Sequence, residues 1–223
     1  MLTKLQRHWF LSRMAERPAP LKWFLPTFRS EHANAPPLSG LGPESCAKGI
    51  LELVSDQLVV VMAGEERRPD APAIIRRFLD GTLEPGVALA MTDSGGREWE
   101  ALASPEWDRF VRYEVELSAE PSDNRFQGLL ASTNLDVLMA YLGWWEQLES
   151  AQIEWDSVKW RTHSAYPLTY WKNLTNVTEV SFTGETLNQQ QAWFAWLQAW
   201  VGHRSTWFID AWRMPGWVGE TEG

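Results

Sequence analysis

Residues 111–117 read V-R-Y-E-V-E-L and alternate strictly between apolar and charged side chains. This pattern predicts a β-strand that buries its odd-numbered residues and exposes Arg112, Glu114 and Glu116 to water. A sheet with one wet face is typically antiparallel, and helices pack against its buried face. We therefore expect an α+β fold with a largely antiparallel sheet.

Other segments carry helix and strand patterns of the same kind. Apolar or alternating runs predict strands at 58–62, 87–91, 126–132, 153–161, 178–183 and 207–209. Capping and periodicity predict helices at 3–16, after Asp70, after Ser104, from Thr133 to about residue 149, and after Thr186. The run Asp93-Ser94-Gly95-Gly96 has turn composition, and we interpret it as a hairpin turn that closes the strand before it.

The domain organisation is predicted from length and proline content. A chain of 223 residues that is 44% hydrophobic can bury one substantial core, so we expect a single domain. Five prolines between residues 17 and 42 predict an extended arm. The N-terminal helix and this arm, residues 1–43, are expected to pack on an α+β core, residues 44–223.

The location of the protein is predicted from what the sequence lacks. It contains no run of about eighteen apolar residues, so no membrane span is expected. Arg7, His8 and Arg13 interrupt any apolar stretch near the start that could serve as a secretory signal. A single cysteine, Cys46, fits a reducing compartment. We therefore expect a cytoplasmic protein.

The net charge of −9 is concentrated in one half of the chain. Residues 1–112 hold 14 Lys/Arg and 15 Asp/Glu, a balance of −1, whereas residues 113–223 hold 6 and 14, a balance of −8. An acidic surface repels nucleic acid phosphates and attracts basic partners. Nucleic acid binding is therefore not expected, and a basic protein is the favoured partner.

Tryptophan is the other unusual feature of this half. Eleven of the 15 tryptophans lie between residues 144 and 217. Trp193, Trp196 and Trp200 have helical spacing, which predicts one buried stripe. The remaining candidates lie off such a stripe, where exposed aromatic side chains mark a recognition surface. These candidates are Trp144, Trp171, Trp212 and Trp217.

The chemistry-bearing residues do not form a catalytic or metal-binding motif. The four histidines are scattered, so no metal is expected. The sequence contains neither a P-loop nor a dinucleotide-binding fingerprint, so no cofactor is expected. Cys46 is interpreted as a small buried thiol. Two carboxylate pairs, Glu98 with Glu100 and Glu154 with Asp156, leave open the alternative of a hydrolase with a tryptophan-lined pocket.

Acidity, the Trp144-Trp145 pair and the helix of Trp193 to Trp200 make the chain similar to the immunity proteins of bacterial polymorphic-toxin systems. The resemblance implies a non-enzymatic protein that binds and neutralises one cognate toxin, which is expected to be basic and is often a nuclease. An effector chaperone or adaptor is a further alternative, and a homodimer stays open. The predicted partner-binding residues are Glu114, Glu116, Trp144, Glu146, Glu149, Glu154, Asp156 and Trp171.

Overall fold

The computed structural model describes residues 1–24, 41–82, 86–118, 124–147, 151–186 and 207, without the side chains of 144–147 and 151. The predicted α+β class with largely antiparallel sheets is confirmed. Residues 25–40, most of the predicted proline-rich arm, lie outside this description. None of the described helices is both long and apolar enough to cross a membrane.

The described residues group into two compact units. Unit 1 contains those of Met1–Pro105 and Thr169–Lys172, and unit 2 contains those of Glu106–Leu168 and Asn173–Phe208. The predicted boundary after residue 43 stays a prediction.

Unit 1 combines four helices with an antiparallel sheet. Its helices are α1 (Lys4–Ser12), α2 (Pro43–Ser55), α3 (Ala71–Leu79) and α4 (Asp93–Ala103). Its strands are β1 (Ala19–Pro20), β2 (Val59–Ala63), β3 (Glu66–Arg68) and β4 (Val87–Met91), in the order β1-β4-β2-β3. Helix α1 begins at a capping box between Thr3 and Gln6, and it buries Trp9 and Phe10. These apolar side chains anchor the N-terminal helix in the core.

The run Asp93–Gly96 forms the first turn of helix α4, so its interpretation as a hairpin turn is wrong. The hydroxyl of Thr92 accepts a hydrogen bond from Gly95 N at 3.1 Å and caps the helix. The glycines are explained by packing. A Cβ on Gly95 would lie 2.0 Å from the carbonyl oxygen of Leu58, and one on Gly96 would lie 2.2 Å from the Trp171 ring. Close approach by neighbours therefore requires both glycines.

Unit 2 is an antiparallel sheet with a helix on one face. Its strands are β5 (Arg112–Leu117), β6 (Arg125–Ser132), β7 (Ala151–Ile153), β8 (Lys159–His163), β9 (Tyr166–Pro167), β10 (Asn173–Leu174) and β11 (Val177–Thr186), and its helix is α5 (Leu135–Gln147). The main sheet has the order β5-β6-β11-β7, β8 also pairs with β11, and β9 pairs with β10. Leu138 and Leu142 of α5 pack in a core cluster with Leu130, Val180 and Phe182 of the sheet. The opposite face of the sheet is free of this cluster.

Three predictions in unit 2 need correction in detail. Helix α5 is capped by Asn134 and not by Thr133, because Asn134 Oδ1 accepts from Asp136 N at 3.0 Å. The helix expected after Ser104 is a single 3-10 turn, Trp107–Arg109. The strand expected at 153–161 is split by another 3-10 turn, Trp155–Ser157. Ser157 Oγ accepts from Thr183 N at 2.8 Å, which replaces the ladder hydrogen bond that the turn removes.

The C-terminal predictions lie mostly outside the described residues. These are the helix after Thr186 with its stripe of Trp193, Trp196 and Trp200, the strand 207–209 beyond its first residue, and the candidates Trp212 and Trp217. Trp207 is described and fully buried. Its ring lies 4.4 Å from that of Phe110 and 5.1 Å from that of Trp107, measured between centroids.

Candidate functional site

The face of the unit 2 sheet opposite α5 is called the wet face here, because charged side chains line it. Strand register places Glu114 beside Leu129, and Glu116 beside Gln127, on this face. The same register continues from Gln127 to Thr183 on β11. Its ionisable members, read from the register, are Arg112, Glu114, Glu116, Arg125, Lys159, Arg161, His163, Glu179 and Glu185.

Glu154 joins the wet face through a hydrogen bond. The hydroxyl of Thr183, a wet-face residue, donates to Glu154 Oε2 at 2.6 Å, and Glu154 N donates to Thr183 O at 3.0 Å. Strands lie about 4.8 Å apart, so Glu116 and Thr183, two strands apart in one row, lie roughly 10 Å from each other. The fold thus brings together Glu114, Glu116 and Glu154, three of the predicted partner-binding residues.

The carboxylates of the wet face are interleaved with basic side chains. Arg112 forms an ion pair with Glu114. Arg125 lies directly opposite Glu185 in the β6–β11 register, and Arg161 lies opposite Glu179 in the β8–β11 register. Positive and negative side chains therefore alternate on the wet face. Its negative electrostatic potential is weaker than the charge count of residues 113–223 predicts.

A polar cluster closes one end of the wet face. His163 Nε2 lies 3.5 Å from Glu179 Oε2, and the His163 and Tyr166 rings lie 4.8 Å apart. The Arg112 guanidinium lies 5.8 Å from the centre of the Tyr166 ring. Burial, together with the charge of Glu179, raises the pKa of Tyr166 to about 12. The phenol therefore keeps its proton at neutral pH.

Two exposed tryptophans lie close together in the chain, one in the break between β7 and β8 and one on β8. Trp155, in the 3-10 turn, is 46% exposed, and Trp160, on β8, is 43% exposed. Residues 151–163, called the edge segment, carry both of them. Sequence reasoning missed these two side chains. The available signal was Trp160 itself, which sits between Lys159 and Arg161 in a strand with no other large apolar residue.

The remaining predicted residues of the acidic half have other positions. Asp156 is exposed in the same 3-10 turn as Trp155. Trp144 and Glu146 lie in helix α5, but their side chains are outside the described part of the chain. Glu149 lies outside it altogether. Their place in a binding surface stays a prediction.

Trp171 is packed inside unit 1. Its indole N–H donates to Ala15 O at 2.8 Å, and its ring meets Trp99 edge-on with centroids 6.0 Å apart. The neighbouring Tyr170 hydroxyl accepts from Met91 N at 2.7 Å and donates to Met14 O at 2.9 Å. These contacts assign residues 170 and 171 a packing role in unit 1. That Trp171 also contacts a partner stays a prediction.

The carboxylate pairs considered for hydrolysis are engaged in other contacts. Glu98 forms an ion pair with Arg7 at 3.3 Å, and Glu100 forms one with Lys172 at 2.6 Å. Glu154 holds Thr183, as described above, while Asp156 remains in solvent. Within the described residues, no group of three or more His, Cys, Asp or Glu side chains could hold a metal ion.

Comparison with known protein families, with characterised proteins and with solved structures finds no match to this chain.

Cys46 is expected to be unreactive in the folded protein. Its side chain is buried, and this burial raises the pKa of the thiol to about 11. At pH 8 only about one thiol in a thousand is then ionised, and the thiolate is the reactive form. We expect a colorimetric disulfide reagent to label Cys46 in denaturant but not in buffer. Labelling of the native protein at the unfolded rate would return Cys46 to the candidate nucleophiles.

Proposed function

We propose that this chain is a non-enzymatic binding protein that holds a protein partner at the edge segment of unit 2. The observation that carries the proposal is the pair of exposed tryptophans, Trp155 and Trp160. Tryptophan is costly to leave in water and is strongly enriched among the residues that dominate binding energy. Carboxylates at Glu154 and Asp156 adjoin this aromatic pair in the chain.

The biological role proposed is that of an immunity protein that neutralises a cognate toxin in the cytoplasm. The net charge of −9 supports a basic toxin, because long-range attraction between opposite net charges speeds association. The pairing of charges on the wet face limits how much that face adds to the attraction. Affinity is therefore assigned chiefly to the aromatic side chains, and encounter rate to the overall charge.

The edge segment is held ready for binding by hydrogen bonds to β11. Ser157 Oγ accepts from Thr183 N at 2.8 Å and donates to Glu154 O at 2.6 Å. With the Glu154–Thr183 bonds, these contacts fix both ends of the turn that carries Trp155. A turn ordered before binding loses less conformational entropy when the partner docks.

Truncation of Trp160 is expected to weaken partner binding without unfolding the protein. Wild-type protein would first be used to capture partners from the source cell, and the captured protein identified by mass spectrometry and purified. Trp160→Ala should then raise the off-rate for this partner by about 30-fold, the effect of about 2 kcal/mol at an interface anchor. Surface plasmon resonance at several salt concentrations measures both rates.

The matched control is Leu79→Ala, which truncates an exposed apolar side chain on helix α3 of unit 1. It should leave both rates unchanged. If both Trp160→Ala and Trp155→Ala bind the partner with the wild-type rates, the edge segment is not the interface. Hydrolysis of a sugar, ester or phosphate substrate by the purified protein would instead support the hydrolase alternative.

A further inference from the structure

Among the residues that the structure describes, none pairs with the outer edge of β8. Lys159–His163 pairs with residues 177–181 of β11, and no other described residue hydrogen-bonds to the β8 backbone. Four of its five residues are exposed. In an antiparallel pair, alternate N–H and C=O groups point away from the neighbour, so those of β8 are available to another strand.

The two faces of β8 differ in chemistry. Lys159, Arg161 and His163 share the wet face, and Trp160 is on the opposite face. Within the described part of the chain, neither Lys159 nor Arg161 forms an ion pair. A strand that adds to this edge would therefore meet cations on one face and an exposed indole on the other.

The charge along the edge segment changes sign toward its start. Glu154 reaches the wet face through Thr183, and Asp156 is exposed in the turn that precedes β8. Two carboxylates thus come before two cations, Lys159 and Arg161, in chain order. This order gives the edge a direction that a partner strand can match.

We infer that the partner adds an extended strand antiparallel to β8, in which acidic residues alternate with apolar ones and basic residues follow toward its C-terminus. The acidic residues would face Lys159 and Arg161, the apolar ones would face Trp160, and the basic ones would approach Glu154 and Asp156. Antiparallel pairing is the more stable geometry per residue, and strand addition is a common mode of peptide recognition. The inference rests on the proposed function and names the partner segment that it requires.

The charges on β8 argue against a second copy of this chain as the occupant. Two β8 strands related by a two-fold axis would pair odd-numbered residues with odd-numbered residues. In the registers centred between residues 159 and 161, Lys159 or Arg161 would then oppose its own copy or the other cation. Like charges directly opposite across strands are destabilising, so a different strand fits this edge better.

The test uses a fluorescent ten-residue synthetic peptide and the full-length protein. The peptide begins with two threonines. Valine then alternates with two glutamates and, after them, with two lysines. Its control contains the same residues in reverse order, which presents the opposite charge order to the edge. Fluorescence anisotropy should show binding of the forward peptide and at least roughly tenfold weaker binding of the reversed one. Hydrogen exchange should show new protection of β8 amides with the forward peptide.

A charge-reversal variant and its matched control complete the design. Lys159→Glu/Arg161→Glu should lower the affinity of the protein for the forward peptide roughly tenfold. Arg67→Glu/Arg76→Glu makes the same change of net charge at exposed sites on unit 1 and should have no effect. Each variant is checked by circular dichroism, so that a loss of binding is compared only among folded proteins.

Three results would overturn the inference. The first is equal affinity for both peptides, which would show simple charge attraction, and the second is no binding of either. The third is self-association of the wild type that Lys159→Glu/Arg161→Glu changes, which would make a second copy the occupant. Failure of the peptide alone, with a captured partner that still depends on Trp160, refutes strand addition and leaves the proposed function standing. Wild-type binding of the captured partner by both Trp160→Ala and Trp155→Ala refutes the proposed function itself.

Discussion

Gly95→Ala is expected to destabilise unit 1 by about 3 kcal/mol or more, one of the two largest effects predicted for a single substitution. The added Cβ would lie 2.0 Å from the carbonyl oxygen of Leu58. That oxygen already accepts hydrogen bonds from Thr92 N at 3.0 Å and Thr92 Oγ1 at 3.2 Å, so it has little freedom to move. Overpacking against backbone costs roughly 1–3 kcal/mol or more. Thermal unfolding followed by circular dichroism should show a melting temperature lower by about 6–12 °C.

Gly143→Ala is a control in which the same substitution is expected to raise the melting temperature instead of lowering it. Gly143 lies in helix α5, and a Cβ there would meet nothing within 4 Å. Alanine is favoured over glycine in a helix interior by up to about 1 kcal/mol, so this variant should melt slightly higher than the wild type. If Gly95→Ala melts with the wild type, the approach of Leu58 to α4 is not as close as described.

Trp99→Ala is expected to lower the free energy of unfolding by about 3–5 kcal/mol, the usual cost of truncating a buried tryptophan. Trp99 is fully buried in helix α4 of unit 1. Its indole N–H donates to Ser12 Oγ at 3.0 Å, and its ring packs edge-on against Trp171. Such a loss is a large share of the total stability of a typical domain. Urea denaturation, with tryptophan fluorescence and circular dichroism as separate probes, measures the change in midpoint.

Two further variants separate the contributions to this loss. Trp99→Phe keeps most of the buried aromatic area but removes the donor to Ser12, so it should cost less than alanine. Trp160→Ala removes an exposed tryptophan and should change the free energy of unfolding by less than about 0.5 kcal/mol. Equal losses for Trp99→Ala and Trp160→Ala would contradict the assigned burial of these two side chains.

Patterns that report local geometry were read correctly from the sequence. The alternation of residues 111–117 placed Arg112, Glu114 and Glu116 on one face, and the register of β5 with β6 confirms that face. The prediction succeeds because successive strand residues point to opposite sides whatever the strand packs against. Leu117 shows the limit of the pattern, since it lies on the core side of the sheet yet is 41% exposed at the end of β5.

Turn composition was misleading at Asp93–Gly96 because two physical demands select the same residues. Asp, Ser and Gly favour tight turns, but glycine is equally required where another backbone or ring approaches closely. At Gly95 and Gly96 the neighbours are Leu58 and Trp171, which are distant in sequence. A single sequence contains no record of such neighbours, so the helix was missed.

In the candidate site, too, the sequence predicts local features but not the contacts between residues that are distant in sequence. Sequence alone selected Glu114, Glu116 and Glu154, but it could not show that a hydrogen bond from Thr183 brings Glu154 to their face of the sheet. The sequence pattern singles out Trp171, which lies off any helical stripe, and does not single out Trp160. The structure packs Trp171 against Gly96 and leaves the Trp160 side chain on β8 43% exposed.

The sequence by itself determined the α+β class, the wet face of β5, the acidic balance of the chain and the abundance of tryptophan. These properties depend on residue type and short-range periodicity, which the chain carries in any conformation. Only the tertiary structure decided which tryptophans are covered, which carboxylates share a surface and where strand 153–161 breaks. Those outcomes depend on contacts between residues far apart in sequence, such as Ser157 with Thr183, and such contacts exist only after the chain has folded.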